Sequence, residues 1–562
     1  MKVLSATEMQ ACDRATTERH GIPSIELMRA ASRTVAEFAR AEFPQARRIT
    51  VLCGRGNNGG DGMMAARLLA EAGLDIHTVL LGPPERFATD AGVAWSELLA
   101  SARPDAVHVA ETAEQLHALK TVFDVDLVVD AILGTGFKPP MRGLAVDALE
   151  LVRASKASVL AVDLPSGWEA DSTAAEGDAF PADAVITFTA PKPAHLFGQL
   201  TRSWRQPVVV APIGSPDEAV VSMLGLHWAG DALALVQQPR AAAANKGRFG
   251  HVLVVGGSFG TAGGKAGAPA MASLAALMSG AGLVTVAVPA AAMSVVAAVR
   301  PELMTWPLSA TEEGGIDATN LALERLRLLV AGKTVLAVGP GMGQAAETAK
   351  FLAGLLTSWK GPAVVDADAL NLLTAKPVLL AKLAKDKPLV LTPHPGEMAR
   401  LVGKTIAEVQ ANRLEMARAL AAETGATVVL KGARTIVAHP DGTTAVNTTG
   451  NPAMAKGGSG DVLCGLIAGL AAQYPDELGR AVEAAVFLHG LSADLTVGRG
   501  EEHTLLATDS LRKLGRAFEY SPWGDFRRSG PSGYVCLVGH ARRKTSGHAA
   551  HVARRAQQRI SS

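Results

Sequence analysis

Short apolar runs recur along the chain, and segments of helical character separate them. Continuous apolar runs are typical of parallel strands buried on both faces, so the pattern predicts α/β sheets covered by helices on both sides. One series reads ITVLC, HTVLLG, LVVDAILG, ASVLAVDLPSG, AVITFTA and VVVAPIG, and a second reads HVLVVGG, GLVTVAV, TVLAVGP, PAVVDAD, PLVLTP and ATVVLKG. Because 562 residues exceed what one core accommodates, the two series predict two α/β domains rather than one large sheet.

The two series also suggest where the domains begin and end. The first series ends near Gly214 and the second begins with HVLVVGG, so we expect domains over residues 1–214 and 245–519. Between them, residues 215–244 contain prolines and the run AAAA, which predicts a linker with a short helix.

The C-terminal residues 520–562 differ in composition from the rest of the chain. They contain eight Lys or Arg residues against one Asp and show no sustained apolar period. This composition predicts a basic, disordered extension. Binding of an acidic partner and an out-of-frame extension are the alternatives.

The overall composition argues against several classes of protein. The formal net charge is +1 and charged residues make up 19%, which disfavours binding to nucleic acid or to a membrane surface, since both need a basic excess. The four cysteines, Cys12, Cys53, Cys464 and Cys536, form no CxxC pair, which excludes a cysteine zinc site and a disulfide scaffold. We therefore expect a cytoplasmic protein that works on small molecules, without nucleic acid or membrane as partner.

One charge-free stretch, residues 266–299, is long enough to span a bilayer. Gly280 and Gly282 interrupt it, and the run GLVTVAV before Pro289 is rich in β-branched residues. The stretch therefore predicts a buried helix, a glycine stop and a buried parallel strand, rather than a membrane span.

Four strands of the first series run into polar or glycine-rich loops. ITVLC leads into GRGNNGGDG, LVVD ends in Asp130, VLAVD ends in Asp163, and VITFTA precedes Pro191-Lys192-Pro193. In an open parallel sheet the ligand binds at the carboxyl ends of the strands, so these loops are expected to converge. Each also has a structural interpretation, since such Asp residues often form turns or caps and Lys192 would simply be exposed.

These motifs resemble a known family. The run NNGGDG, followed by DAILGTGF and VDLPSG, is similar to the NAD(P)H-hydrate epimerase domain over about residues 1–214. The resemblance implies a Rossmann-like parallel α/β sandwich, a nicotinamide dinucleotide hydrate as ligand and a bound K⁺. By position, K⁺ would be held by Asn58, Asp130 and Ser166, and the ligand would be lined by Asn57, Asn58, Gly59, Gly60, Asp61, Gly134, Thr135, Gly136, Phe137, Lys138, Pro139, Pro140 and Asp163.

The chemistry of this loop set fits such a ligand. Glycine N–H groups can meet phosphate, while amide and carboxylate oxygens suit a hard cation. The hydroxyl of a hydrated nicotinamide ring is on a carbon bonded to nitrogen, so this centre ionises or ring-opens with modest acid–base help. Asp163 is the candidate for that role. The early helix reads LMRAAS, where the family commonly has an acidic residue after the Met.

In the second half, the most informative stretch is NPAMAKGGSGDVLCG, residues 451–465. Its glycines lead into a helix whose N-terminal N–H groups would stabilise a transferring phosphoryl group, and Asp461 would accept the proton of an attacking hydroxyl. No GKS or GKT follows the glycines, so this is not a Walker A loop.

Together with HPGE and DADALN, the GSGD motif resembles the ribokinase-like, ADP- or ATP-dependent NAD(P)H-hydrate dehydratase over about residues 245–515. The resemblance implies a ribokinase-like α/β domain, Mg²⁺, ADP as co-substrate and catalysis by Asp461. By position, the hydrate would contact Ala268, Gly343, His394 and Asp461, and the nucleotide would contact Lys431, Gly432, Ala433, Arg434, Thr435 and Gly460.

Three functions compete at this point. The leading hypothesis is a fused repair enzyme, expected as a homo-oligomer, that epimerises R and S hydrates and dehydrates the S form with ADP. The second is a kinase for a vitamin or sugar with an accessory N-terminal binding domain. The third makes the N-terminal half a binding module, like mRNA-decapping scaffolds of related fold. Such modules tend to lose the acidic site residues, whereas this chain keeps Asn58, Asp61, Asp130 and Asp163.

Overall fold

The computed structural model describes residues 1–87, 89–261, 263–374, 377–498, 500–521 and 533–538. It divides the chain into two compact units. The N-terminal unit contains residues 4–222 and the described residues after 520, and the C-terminal unit contains residues 1–3 and 223–520.

The N-terminal unit contains a parallel sheet with helices between its strands. Its strands are β1 (Arg48–Cys53), β2 (Asp75–Leu81), β3 (Val107–Ala110), β4 (Leu127–Ala131), β5 (Ser158–Val162), β6 (Ala184–Phe188) and β7 (Val208–Ala211). Its helices are α1 (Ala6–Glu18), α2 (Ser24–Glu42), α3 (Asn57–Glu71), α4 (Thr89–Ser101), α5 (Ala113–Ala118), α6 (Leu144–Ala154) and α7 (Pro193–Phe197). Val51 and Leu52 of β1 belong to different apolar cores, as alternation along a strand covered on both faces requires.

The strand order β3-β2-β1-β4-β5-β6-β7 places a topological switch point between β1 and β4. Ligands of open α/β sheets bind in the crevice at such a point, outside the carboxyl ends of the strands. Here the chain after β1 passes so closely that a Cβ on Gly54 would lie 2.1 Å from the Ile132 carbonyl oxygen, and one on Gly59 would lie 1.9 Å from the Gly54 carbonyl oxygen. Only glycine fits at these positions, which explains the composition of the loop.

The C-terminal unit has a larger, mixed sheet. Its strands are β8 (Leu226–Trp228), β9 (His251–Val255), β10 (Phe259–Gly260), β11 (Gly263–Gly264), β12 (Leu283–Pro289), β13 (Met304–Leu308), β14 (Val335–Val338), β15 (Ala363–Val365), β16 (Leu389–Leu391), β17 (Thr427–Leu430), β18 (Ile436–Ala438) and β19 (Thr444–Val446). In the order β13-β12-β9-β14-β15-β16-β17-β18-β19-β8, only the β17–β18 and β18–β19 pairs are antiparallel.

Helices connect these strands and complete the second α/β unit, so the prediction of two α/β domains is confirmed. They are α8 (Leu233–Val236), α9 (Gly267–Met278), α10 (Met293–Ala297), α11 (Leu323–Val330), α12 (Ala346–Ser358), α13 (Asp368–Leu373), α14 (Pro377–Asp386), α15 (Pro395–Val402), α16 (Ile406–Ala411), α17 (Arg413–Thr424), α18 (Ser459–Gln473), α19 (Leu478–Val497), α20 (Ala507–Leu511) and α21 (Leu514–Phe518). The charge-free stretch forms α9 and β12, as predicted, and across the described ranges no helix is long and apolar enough to cross a membrane.

The structure places the domain boundary differently from the sequence-based prediction. Much of the expected linker 215–244 belongs to the C-terminal unit, where β8 pairs with β19 and Trp228 is 1% exposed. The Trp228 indole donates a hydrogen bond to Thr448 Oγ1 at 2.8 Å and packs edge-on against Phe487. The linker interpretation missed this because a three-residue strand is too short to show a period.

The expectation of a disordered tail is wrong for residues 533–538. Val535–Val538 form β20, which pairs antiparallel with β7 at the edge of the N-terminal sheet. Tyr534 and Cys536 are buried in one of the apolar cores of that unit, and the Tyr534 hydroxyl donates to the Thr34 carbonyl oxygen at 3.3 Å. The net basic charge of the tail obscured this short apolar run, YVCLV. The rest of the tail expectation lies outside the described residues.

We predict that β20 stabilises the N-terminal unit. Ending the chain after Tyr520, or replacing Tyr534 with alanine, should lower the melting temperature of this unit by about 10 °C. The reason is that losing a buried aromatic side chain costs about 3–5 kcal/mol, and 1 kcal/mol corresponds to about 2–4 °C in a unit of this size. Calorimetry of the full-length chain and of the variants measures this melting temperature. Tyr534→Phe, which keeps the buried ring, is the control and should change it much less. An unchanged transition in the truncated chain would contradict the prediction.

Candidate active sites of the two units

In the N-terminal unit, the Asp163 carboxylate is enclosed by donors of this chain. It follows β5, has a φ of 64° and is 6% exposed. Oδ1 accepts hydrogen bonds from Thr187 Oγ1 and Lys192 Nζ, both at 2.8 Å. Oδ2 accepts from the backbone N–H of Thr135 at 2.9 Å and from the Thr135 hydroxyl. Four donors therefore occupy the two oxygens.

Lys192 and His195 support this carboxylate from the chain after β6. Lys192 is 2% exposed, so the alternative that it is merely exposed is wrong. Its backbone N–H donates to Nδ1 of His195 at 3.0 Å, which leaves the proton of the neutral ring on Nε2, 2.8 Å from the Asp163 carbonyl oxygen. Burial and the Lys192 charge lower the pKa of His195 to about 4, so its ring is neutral at pH 7.

The surroundings of Asp163 differ from those of a general base. Burial alone would raise its pKa, but the charge of Lys192 and the hydrogen bonds from Lys192 and Thr135 outweigh burial and hold the pKa far below its usual range. Asp163 is therefore an anion throughout the working pH range. A carboxylate of this kind is a weak proton acceptor, which speaks against the acid–base role that the sequence suggested.

Asp61 has the opposite surroundings. Residues 57–61 form the N-terminus of α3, where Asn58 and Asp61 are three residues apart and share one face of the helix. Among the described residues, none donates a hydrogen bond to the Asp61 carboxyl. Burial raises its pKa well above the ordinary value, and the charges of Asp163 and Asp13 add to the effect.

The proposed K⁺ ligands also lie at this sheet edge. Asp130, at the end of β4, is fully buried and accepts hydrogen bonds from the backbone N–H and the hydroxyl of Ser166 at 2.7 and 2.6 Å. Burial raises the pKa of Asp130 to about 6, although its hydrogen bonds with Ser166 and Ile132 counteract the effect. The buried side-chain amide nitrogen of Asn58 has no hydrogen-bond partner in the described structure.

This donor set fits a potassium ion. Amide, hydroxyl and carboxylate oxygens are the ligands that hard cations prefer, and a single buried carboxylate matches one positive charge. An amide whose nitrogen lacks a partner can turn its oxygen toward an ion instead, because the two orientations fill the same space. In the described part of the chain, no group of three His, Cys, Asp or Glu residues could hold a transition metal.

The loop after β4 contributes the remaining predicted residues. A Cβ on Gly134 would lie 3.1 Å from Asn58 Cγ and 3.2 Å from Asp163 Oδ2, so this loop joins the two parts of the site. Phe137 is half-buried, and Gly136, Lys138, Pro139 and Pro140 are exposed. The Lys138 ammonium pairs with Glu169 at 2.9 Å instead of reaching Asp163 or Asp130. Beyond it, Pro139 and Pro140 line a cavity of about 410 Å³ together with Trp168.

In the C-terminal unit, the glycine-rich loop leads into α18 as predicted. Gly458 has a φ of 92°, which favours glycine, and Asp461 lies in the first turn of the helix. A Cβ on Gly460 would lie 3.4 Å from Lys431 Nζ, so the helix N-terminus and this ammonium face the same space. Backbone N–H groups at a helix N-terminus together with a lysine form a suitable cradle for phosphate.

The charges around Asp461 set its protonation. Burial raises the pKa of Asp461 to about 7, Asp366 and Asp368 add to the rise, and Lys431 opposes it. Lys431 Nζ donates to Asp366 Oδ1 at 2.7 Å and lies 3.7 Å from Glu397 Oε2. Asp461 therefore titrates near neutrality, which suits a group that accepts a proton.

His394 caps the N-terminus of α15. Its Nδ1 accepts the backbone N–H groups of Gly396 and Glu397 at 3.0 and 3.4 Å, so Nε2 carries the proton of the neutral ring. Burial and the charge of Lys431 lower the pKa of His394, which keeps the ring neutral. Its side chain is 51% exposed, and Nε2 lies 3.4 Å from Glu397 Oε1, with which a ligand would compete for the Nε2–H.

Ala268 and Gly343, the other predicted hydrate contacts, belong to a neighbouring group of residues. The backbone N–H of Gly343 donates to Asp368 Oδ2 at 2.9 Å, and Lys265 Nζ lies 3.2 Å from the same oxygen. A Cβ on Gly341 would lie 3.1 Å from the Ala268 Cβ. Asp368 also lies close enough to Asp461 for its charge to raise the pKa of Asp461, so these loops and Asp461 belong to one site.

The proposed nucleotide segment is held by an arginine that the sequence did not indicate. The Arg413 guanidinium donates to the carbonyl oxygens of Leu430 and Lys431 at 3.2 and 3.4 Å. Within the segment, the Thr435 hydroxyl donates to the Gly432 carbonyl oxygen at 2.9 Å. Gly432 and Ala433 are exposed, while the guanidinium of the half-buried Arg434 donates to the Thr448 carbonyl oxygen at 3.1 Å.

Family models match both units. The model described as NAD(P)H-hydrate dehydratase matches residues 252–515, and the model described as YjeF-related protein N-terminus matches residues 24–194. Among solved structures, the ADP/ATP-dependent NAD(P)H-hydrate dehydratase from Bacillus subtilis, co-crystallised with ATP/Mg²⁺, is 32% identical with a TM-score of 0.43. The similarity covers 51% of this chain and 96% of that one.

Curated relatives are similar over nearly the whole chain. The bifunctional NAD(P)H-hydrate repair enzyme of Moorella thermoacetica is 40% identical over 522 residues, covering 91% of this chain and 95% of the relative. The enzyme of the same name from Escherichia coli is 33% identical over 515 residues, covering 91% and 93%. Identity of this extent across both units shows that the chain belongs to the family of bifunctional NAD(P)H-hydrate repair enzymes.

Proposed function

We propose that the N-terminal unit interconverts the R and S forms of NAD(P)H hydrate, and that the C-terminal unit dehydrates the S form to NAD(P)H. ADP is consumed and gives AMP and phosphate. The observation that carries this proposal is that each unit has its own lysine–carboxylate cluster beside a glycine-rich helix N-terminus, Lys192–Asp163 near α3 and Lys431–Asp366 near α18. A binding module or a kinase with an accessory domain requires only one such site.

In the C-terminal unit, the kinase-like site makes a poor leaving group into a good one. The ring hydroxyl attacks the terminal phosphorus of the nucleotide, its proton passes to Asp461, and the bond from phosphorus to the departing AMP breaks. The ring nitrogen's lone pair then expels phosphate, and water takes the proton of the neighbouring C–H, which regenerates the dihydronicotinamide. Lys431 and the N–H groups of α18 stabilise the transferring phosphoryl group.

Two cations are part of this proposal. Mg²⁺ is usually held by one or two carboxylates and substrate phosphates, and Asp366, which lies near the base Asp461, supplies such a carboxylate. When bound, it would neutralise charge on the phosphates. K⁺, held by Asn58, Asp130 and Ser166, would place a positive charge beside the hydrate and order the loop before α3.

Domain independence, location and assembly are also proposals. Residues 4–222 with β20, and residues 1–3 with 223–520, each form a compact unit with its own sheet, so we propose that each carries its own activity. Cytoplasmic location and homo-oligomerisation are further proposals, the first supported by four free cysteines that are all buried.

The test is to incubate the full chain with a mixture of hydrate epimers, with and without ADP, while following the absorbance of the dihydronicotinamide ring. Both epimers should be converted completely with ADP, and without it the epimers should only exchange. Replacing ADP with ATP tests which nucleotide donates the phosphoryl group. Conversion of the S fraction alone would refute the epimerase activity. Consumption of nucleotide without new absorbance would indicate a kinase.

A further inference from the structure

The Asp163 carboxylate has no acceptor position left for a substrate proton. An ionised carboxylate offers about four lone-pair sites, and Thr135 supplies two of the donors that fill them. Thr187 and Lys192 supply the other two. A hydroxyl of the substrate would have to displace one of these donors, so the geometry fits a residue that fixes the loop after β4 through Thr135.

Asp61 is a nearby carboxyl with free capacity to accept or donate a proton. It shares a face of α3 with Asn58, and a Cβ added to Gly134 would touch both the Asn58 side chain and Asp163. Asp61 is only partly buried, and no described residue donates a hydrogen bond to its carboxyl. It therefore lies at the same crevice as Asp163 and is open to a ligand.

We propose that Asp61 is the catalytic proton carrier of epimerisation, and that Asp163, fixed by Lys192, is a positioning residue. The proposal rests on the epimerase activity proposed above and names the group that performs its proton transfer.

The reaction releases one water and consumes one water, and it needs no other co-reactant. The protonated Asp61 carboxyl donates its proton to the ring hydroxyl, the C–O bond breaks and water leaves. The lone pair of the ring nitrogen forms the C=N bond of a cationic ring. Water then adds to the opposite face of that carbon and returns a proton to the Asp61 carboxylate, which gives the other epimer.

The charged groups around Asp61 favour this protonated state. Asp163 and Asp13 face it from the loop after β5 and from α1, and both charges, after burial, raise its pKa. Burial also raises the pKa of Asp13 to about 6, which the charge of Lys192 opposes. His195, the other titratable neighbour of Asp163, is neutral at pH 7. The epimerisation rate should therefore fall as pH rises through the pKa of Asp61.

The test compares Asp61→Asn with Asp163→Asn in the full chain, measuring exchange of the two epimers without ADP across pH. Asp61→Asn should lower kcat by about 10²-fold or more, with hydrate affinity within about threefold, and should abolish the fall at high pH. Asp163→Asn should mainly raise KM and keep that fall, shifted to lower pH because the charge of Asp163 no longer raises the pKa of Asp61. Asp61→Glu should keep the fall at a reduced rate, and Glu71→Gln, at the far end of α3, should behave as wild type.

Each other outcome overturns the proposal. If Asp61→Asn keeps the wild-type kcat, Asp61 is not the proton carrier. If the pH profile becomes flat in Asp163→Asn and stays unchanged in Asp61→Asn, Asp163 performs the proton transfer instead. If calorimetry shows that Asp61→Asn does not fold, the test uses Asp61→Glu. Its exchange rate must then still fall at high pH, and a flat profile would refute the proposal. Wild-type exchange is measured first, because its absence would instead refute the epimerase function itself.

Discussion

Replacing Asp461 by asparagine is expected to lower dehydration by about 10²- to 10⁴-fold, the range in which general-base catalysis contributes. Nucleotide binding should change little, because Lys431 keeps its contacts with Asp366 and Glu397. The rate of hydrate turnover with ADP, and the nucleotide Kd from calorimetry, measure the two effects separately.

The pH dependence of the wild-type reaction provides a second measurement. Because the pKa of Asp461 is raised to about 7, the base form is the minor one below that pH, and single-turnover dehydration should increase as pH rises through about 7. The residual rate of Asp461→Asn should lack this increase. A variant that retains most of the dehydration rate would refute the assignment of Asp461 as the base.

Asp461→Asn is expected to fold, and calorimetry checks its stability directly. A carboxyl whose pKa is higher in the folded than in the unfolded state opposes folding at every pH where it must ionise. Asp461→Asn should therefore unfold at or above the wild-type temperature near pH 8. Asp476→Asn, an exposed carboxyl of the same unit, is the matched control and should change neither rate nor stability.

The sequence predicted the parts of the fold that depend on long apolar periods. All twelve apolar runs form strands, because continuous burial leaves a composition that a single sequence reveals. Strands β3, β8, β10, β11, β13, β18 and β19 were missed, since short or partly polar strands carry no such period. β20 was missed because its four apolar residues lie in a basic segment.

At the candidate sites, the sequence identified the residues but did not predict how their surroundings shift their pKa values. Asp163 and Asp61 both come after strands of the same sheet, yet the surroundings lower the pKa of Asp163 and raise that of Asp61. The difference comes from Lys192, which contacts Asp163 across 29 positions of sequence, and from Asp13 on α1. Contacts of this range depend on how the loops converge, which motif spacing does not specify.

Asp130→Asn is expected to lower epimerisation by about 10- to 100-fold and to remove its dependence on potassium. Opposite charges about 4 Å apart at an effective dielectric constant of about 20 attract by about 4 kcal/mol, of which desolvation of both ions offsets a large part. Asp130 has the only full negative charge among the three proposed ligands. Asparagine keeps one oxygen to accept from Ser166, so the loop geometry survives better than with alanine.

Epimerisation in potassium and in tetramethylammonium buffers measures the effect, and the wild type should be faster in potassium. Asp126→Asn, an exposed carboxyl just before β4 that accepts the backbone N–H groups of Arg47 and Arg48, is the matched control. It should keep both the rate and the potassium dependence. Dehydration of the pure S epimer should be unchanged in both variants, because no residue of the C-terminal site is altered. Equal wild-type epimerisation in the two buffers would leave Asn58, Asp130 and Ser166 as loop-forming residues only.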